Sequence, residues 1–254
     1  MFHVGIPAHI HKNEGVAAVK QRKLYFSLIP VYGMVFLLVI LTALIGNKAV
    51  QTASETALYF KGNTIIIDAG HGGEDGGALS CTGVAESAIN LEISTRLNDL
   101  MQFLGFQTKM IRTEDISIHT EGETIAQRKI ADLKERVRIC NETDNAFLLS
   151  IHQNNFADGR YHGAQVFYST NTASEAFAKK LQKALIATLN PGSNRDIKQA
   201  QGIYLLDKIK CPGVLIECGF LSNPAEEALL RSDAYQKQLC CVIAACCSSF
   251  LLDG

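Results

Sequence analysis

The stretch TIIIDAGHGGEDGGALS, residues 64–80, sets the reading of this chain. Its three isoleucines form an unbroken apolar run that ends at a glycine, the pattern of a short strand buried on both faces. His71 follows at once among glycines, with Asp68 before it and Glu74 and Asp75 after it. A histidine in such a turn is either structural or part of a site beyond the carboxyl end of the strand, where open α/β sheets carry their ligands. The glycines alone do not decide, because the loop lacks both the GK[ST] of a phosphate-binding loop and the GxGxxG of a dinucleotide site.

Working outward, ESAINLEISTRLNDLMQFLG (86–105) places Ile89, Ile93, Leu97, Leu100 and Leu104 at helical spacing, and Gly105 suits its end. FQTKMIRT (106–113) alternates like a strand, residues 114–127 are polar and read as a loop, and KIADLKERVRICNE (129–142) reads as a helix. AFLLSIH (146–152) and AQVFYST (164–170) read as strands, ASEAFAKKLQKALIATL (173–189) as an amphipathic helix, GVLIECGF (213–220) as another buried strand, and two helices follow. Strands alternating with helices predict an α/β three-layer sandwich around a mostly parallel sheet.

Ahead of this domain lies LYFSLIPVYGMVFLLVILTALIG (24–46), 23 residues without a charge. As a helix it spans about 35 Å, enough for a ~30 Å hydrocarbon core. A cleaved signal peptide is the alternative, but its apolar region is normally ~7–15 residues and ends at a small-x-small site, and GNKAVQTAS offers none that is clean. The expectation is one transmembrane signal anchor. Lys12, Lys20, Arg22 and Lys23 precede it against Glu14 alone, which places residues 1–23 in the cytoplasm and the large domain outside. Residues 47–62 read as a linker and 63–252 as the catalytic domain. The net charge of −1 gives no support for a nucleic-acid partner.

Eight cysteines in an exported chain suggest disulfides, but their placement points to free thiols. Four lie in one apolar helix, where Cys240, Ile243 and Cys247 share a face and pack as small apolar side chains. No CxxC pair is present, which argues against a cysteine zinc knot.

The chemistry gathers at strand ends. His71 follows the first strand, His152 ends AFLLSIH, and Glu86 begins the helix after the glycine loop. Two imidazoles and one carboxylate from separate elements make a three-ligand zinc set with a fourth position open for water, the catalytic pattern. Asp68 is expected to orient a ligand ring. Glu217 stands in an otherwise apolar strand, where an unpaired carboxylate costs several kcal/mol, so it is paired or functional. At the metal's edge it serves as the proton carrier. Asn154 is placed near the metal, and His162 is either structural or faces the substrate. His119 reads as a surface residue, and Arg136 as a surface or helix-pairing residue.

In order along the chain, IIIDAGHGGEDGGA, Glu86 fifteen residues after His71, LKERVRICN, LLSIHQNN and VLIECGFLSNPAE resemble the zinc-dependent N-acetylmuramoyl-L-alanine amidases of the amidase-3 type over roughly residues 63–252. The resemblance implies one zinc on His71, Glu86 and His152, Glu217 as the catalytic glutamate, a three-layer α/β fold, and peptidoglycan as substrate. The family often has proline at Ala69 and lysine at Ser87; neither position is a ligand. The segments 112–136, YHGAQVFYS and GIYLLDKIKCPGVLIECGFLSNP further resemble the membrane-anchored amidases of spore-forming bacteria, which implies removal of stem peptides during muramic-δ-lactam formation in the spore cortex. Rival readings are a vegetative cell-separation amidase, a peptidoglycan carboxypeptidase and a non-catalytic wall-binding protein. An accessory protein is compatible with the sequence but not derivable from it.

Overall fold

The computed structural model describes residues 30, 33–43, 62–119 and 121–252. The chain divides into two units, residues 1–54 and 55–254. In the first, residues 33–43 are helical and exposed. Among the described residues no helix is long and apolar enough to cross a membrane; residues 24–29, 31–32 and 44–46 of the expected span lie outside them.

The second unit runs β1 (Thr64–Ala69), α1 (Glu86–Phe103), β2 (Gln107–Met110), α2 (Ile125–Glu142), β3 (Ala146–Asn154), β4 (Gln165–Tyr168), α3 (Thr172–Thr188), β5 (Lys198–Gln199), α4 (Tyr204–Lys208), β6 (Gly213–Phe220), α5 (Pro224–Leu230) and α6 (Asp233–Leu252). The six strands lie in the order β2-β1-β3-β6-β4-β5. β1 pairs in parallel with β2 and β3, and β3 with β6. β4 runs antiparallel to β6 and carries β5 in parallel, which makes the sheet mixed.

Alternation along the strands divides the core in two. Ile65, Ile67, Leu149, Ile151, Val214 and Ile216 face α1, α3 and α6. Ile66, Leu148 and Leu215 face α2 and α4. The fold is therefore three layers, as expected, with helices on both sheet faces. Cys240, Ile243 and Cys247 are buried as a face of α6, and all eight cysteines are free thiols.

Helix starts follow local chemistry. Thr124 caps α2 by accepting from Gln127 N, and the Gln127 side chain answers on the Thr124 backbone. That box starts α2 at Ile125, four residues before the expected KIADLKERVRICNE. Asn223 caps α5 from two backbone amides, with Pro224 in its first turn. β5, two residues long, and α4, five residues long, went unread because neither spans a full hydrophobic period.

Candidate metal centre and its surroundings

His71 leaves β1 with φ +60, so the turn after the strand is left-handed at the ligand itself. His152 arrives on β3, and Glu86 opens α1. The three come together: His71 Nε2 lies 3.3 Å from Glu86 Oε2, and His152 Nδ1 lies 3.0 Å from Glu86 Oε1. One donor atom from each falls within 4.8 Å of the others. Two half-buried histidines and one buried carboxylate on separate elements could hold a metal ion, and their nitrogen and oxygen donors fit zinc.

The glycines leave room for these side chains. A Cβ on Gly70 would lie 2.2 Å from His152 Nε2. One on Gly77, whose φ is +69, would lie 2.6 Å from Glu86 Oε2 and 2.8 Å from His71 Cδ2. The glycine run thus lets the backbone close directly over the donor set.

Glu86 is fixed by Ala78 N (3.1 Å), Gln153 N (3.1 Å) and Asn90 Nδ2 (3.2 Å). Burial alone would raise its carboxyl, but His152 and His71 outweigh it and hold it well below the ordinary range. His71 also bonds Asp75 Oδ2 through Nδ1 at 2.9 Å. Burial alone would lower His71, yet Glu86 and Asp75 raise it to about 9. Two carboxylates turned on one imidazole favour positive charge at this point. Asp75, itself paired with Lys129 at 2.7 Å, is therefore the carboxylate that holds the His71 ring in place. Its signal in the sequence was its place four residues after His71.

Asp68 does not take that part. It is fully buried against Arg136, and its other oxygen accepts from Ser150 Oγ at 2.6 Å. Burial raises its carboxyl, but Arg136, His152 and Ser150 together hold it below the usual aspartate range. Of the two readings of Arg136, the surface one is corrected and the helix-pairing one holds, through Asp132 one turn earlier on α2. Arg136 is 2% exposed, and it donates to Asp132 Oδ2 (2.6 Å), Ala69 O (3.0 Å) and His71 O (2.7 Å). Asp68 thus acts on His71 through Arg136 and the backbone. Arg112 completes the frame by donating to Ala69 O (2.8 Å) and Gly70 O (3.0 Å). No pattern marked Arg112, because a lone arginine after a strand is usually a solvated one.

Glu217 stands beside His152 in the β3–β6 register. Its Oε2 is buried without a hydrogen-bond partner. Burial pushes its carboxyl up to about 7, with His152 and His71 opposing and Glu86 adding to the rise. Asn154 ends β3 just past a register shift, half-buried, with its carbonyl accepting from Leu221 N at 2.8 Å. His162 is exposed on the loop before β4, and its carbonyl accepts from Arg195 Nε at 2.7 Å. His119 is half-buried in the segment before α2. A cavity of about 290 Å³ opens beside His71 and His152, walled by Lys129, Leu133, Ile203 and Tyr204.

Comparison with known proteins shows the family. Residues 65–247 match the Amidase_3 family model, described as N-acetylmuramoyl-L-alanine amidase. The germination-specific N-acetylmuramoyl-L-alanine amidase of Bacillus subtilis is 37% identical over 185 residues, covering 72% of this chain and 77% of that protein. The amidase LytC of the same organism is 30% identical over 199 residues, 76% of this chain but 37% of LytC. Among solved structures, the CwlD amidase from Clostridioides difficile, in complex with the GerS lipoprotein, superposes with TM-score 0.73 at 36% identity over 76% of this chain and 100% of that one. The chain, from the buried strand at Ile65 to the last helix, belongs to the Amidase_3 family of N-acetylmuramoyl-L-alanine amidases.

Proposed function

We propose that this amidase hydrolyses the bond between N-acetylmuramic acid and L-alanine with one zinc ion held by His71, Glu86 and His152. The observation that carries this is the unpartnered, buried Glu217 carboxyl next to that donor set. When bound, zinc supplies Lewis-acid activation of the amide carbonyl and of a water molecule. The chain's residues do the rest. Glu217 Oε2 accepts the proton of the attacking water and returns it to the leaving L-alanine nitrogen. Asp75 fixes the His71 ring, while Arg136 and Arg112 fix the backbone carrying it. Asn154 and His162, at the ends of the strands and loops around the centre, are assigned to the substrate. Mass spectrometry of peptidoglycan treated with the protein is the test: free muramic lactyl groups and released stem peptides are expected with zinc and not after chelation. Release of terminal D-alanine alone would make the chain a carboxypeptidase instead. His152→Ala is expected to lose bound zinc. A variant that still holds one ion per chain by metal analysis would remove His152 from the ligand set.

For the cellular role, the germination-specific relative and the resemblance of segments 112–136 and 161–168 support stem-peptide removal ahead of muramic-δ-lactam formation in the spore cortex. Deletion of the gene in its host is expected to abolish the lactam. Spores with normal lactam content, in a strain with no second such enzyme, would exclude the role. The solved relative is bound to a lipoprotein, which supports an accessory protein here. Residues 24–46 are assigned as an uncleaved anchor, with residues 47–62 as linker and 63–252 as an extracytoplasmic catalytic domain. Recovery of a mature chain starting near residue 50 would replace the anchor by a signal peptide.

A further inference from the structure

Past the end of β3, the loop that follows His152 carries two aromatic rings that the fold does not cover, neither of which lines the cavity beside α2 and α4. Phe156 is 54% exposed and Tyr161 46%. Their rings meet edge to face at 4.8 Å. Tyr161 also stacks on Phe220 at 6.1 Å and 26°, and Phe220 is buried at the end of β6 beneath Arg195, whose guanidinium sits 4.4 Å from the ring.

The loop is anchored. Phe156 N donates to Ser222 Oγ at 3.2 Å, Asn223 Nδ2 to the Tyr161 carbonyl at 3.3 Å, and Asn155 Nδ2 to the Leu79 carbonyl at 3.4 Å. The Leu79 bond ties the rings to the glycine loop that holds His71. Phe156 follows His152 by four residues, so at ~3.3 Å per residue it lies within about 13 Å of the centre along the chain.

We propose that Phe156 and Tyr161 form a stacking subsite for a sugar ring of the peptidoglycan glycan strand, next to the residue whose amide is cut. This rests on the amidase reading above. A pyranose presents an apolar C–H face to an aromatic ring and polar groups around its edge. The platform matches that division, with two rings bordered by Asp158, Arg160 and Asn155. A protein partner would require ~800 Å² of surface, far more than two rings flanked by an ion pair provide. Phe156 follows the end of β3, which carries His152, and Phe220, stacked under Tyr161, ends β6, which carries Glu217, so the platform continues from the ends of the two strands that hold them. The glycan then runs over the loop after β3 while the cavity beside α2 and α4 is left for the peptide.

The chain has no tryptophan, so Tyr161→Trp in the full-length protein makes a single reporter. Titration with peptide-free oligosaccharides of alternating N-acetylglucosamine and N-acetylmuramic acid is expected to give a saturable emission change. Phe156→Ala in that background is expected to weaken it about tenfold, with an unchanged melting curve. No saturable change overturns the subsite, as does binding that Phe156→Ala leaves untouched. A response to an accessory lipoprotein but not to oligosaccharide also overturns it and makes the rings a protein contact. Because the probe carries no peptide, loss of the amidase reading and loss of the subsite are separate results: glycan binding without hydrolysis leaves the subsite standing, and hydrolysis without glycan binding removes it.

Discussion

Glu217→Gln is expected to lower the amidase rate by on the order of a hundredfold or more, while the protein stays folded and keeps one zinc per chain. The expectation rests on where the carboxyl sits. Glu217 neighbours His152 across β3 and β6, its Oε2 has no hydrogen-bond partner, and burial holds its pKa up to about 7. A carboxyl near that value both takes and gives a proton at neutral pH. Activation of carbonyl and water alone leaves the amide nitrogen without a proton, so the leaving group departs poorly until a residue supplies one. Glutamine keeps the shape and a polar end but carries no transferable proton. Rate and metal content, measured together, read the result. Near-normal activity would move the proton carrier elsewhere, with His162 the next residue to change. Loss of zinc from a folded variant would make Glu217 a ligand and displace Glu86 from that part.

Arg136→Met is expected to cost about 3–5 kcal/mol, the range for breaking a buried ion pair from one side, or roughly 6–20 °C in Tm. Methionine replaces the apolar stem but none of the donors. Asp68, 1% exposed, is left with Ser150 alone, and the carbonyls of Ala69 and His71 each lose a partner. The pH dependence has a definite sign. In the native protein Asp68 is held below its ordinary value of 3.8, so its contribution is present above that value and is lost as pH falls through the depressed one. In the variant burial, the largest influence, is opposed only by His152 and Ser150, so the carboxyl moves up, and stability falls as pH rises through the raised value. The deficit relative to native protein is therefore largest at neutral pH and shrinks toward pH 4. Thermal melts of both proteins across that range measure it. An equal deficit at all pH values would mean that Arg136 acts by packing alone, with no charge coupling to Asp68.

The sequence by itself determined the alternation of strands and helices, because each long element repeats its apolar residues at its own period and its neighbours share the pattern. TIIIDAG, AFLLSIH and GVLIECGF are strands for that reason. It also determined the candidates at the centre: His71, His152 and Glu86 stand at the ends of elements that a parallel sheet must bring to one edge, and Glu217 is conspicuous as a charge in an apolar strand. Only the tertiary structure decided what surrounds them. Arg112 and Arg136 each look solvated in a linear reading, yet they are buried on the carbonyls of residues 69–71. Apart from Asp132, one turn away on α2, the partners that bury them are the carbonyls of residues 69–71 and the Asp68 carboxylate, more than 40 residues away, and no local period encodes such a meeting. The exchange of parts between Asp68 and Asp75 has the same origin. Both lie within four residues of His71, but the pleat points Asp68 at α2 and the left-handed turn at His71 folds Asp75 back onto the ring. The antiparallel β4 and the short β5 and α4 belong to the same class, since their place is set by the edge of β6 and the space beside α2, which exist only once the rest of the chain has folded.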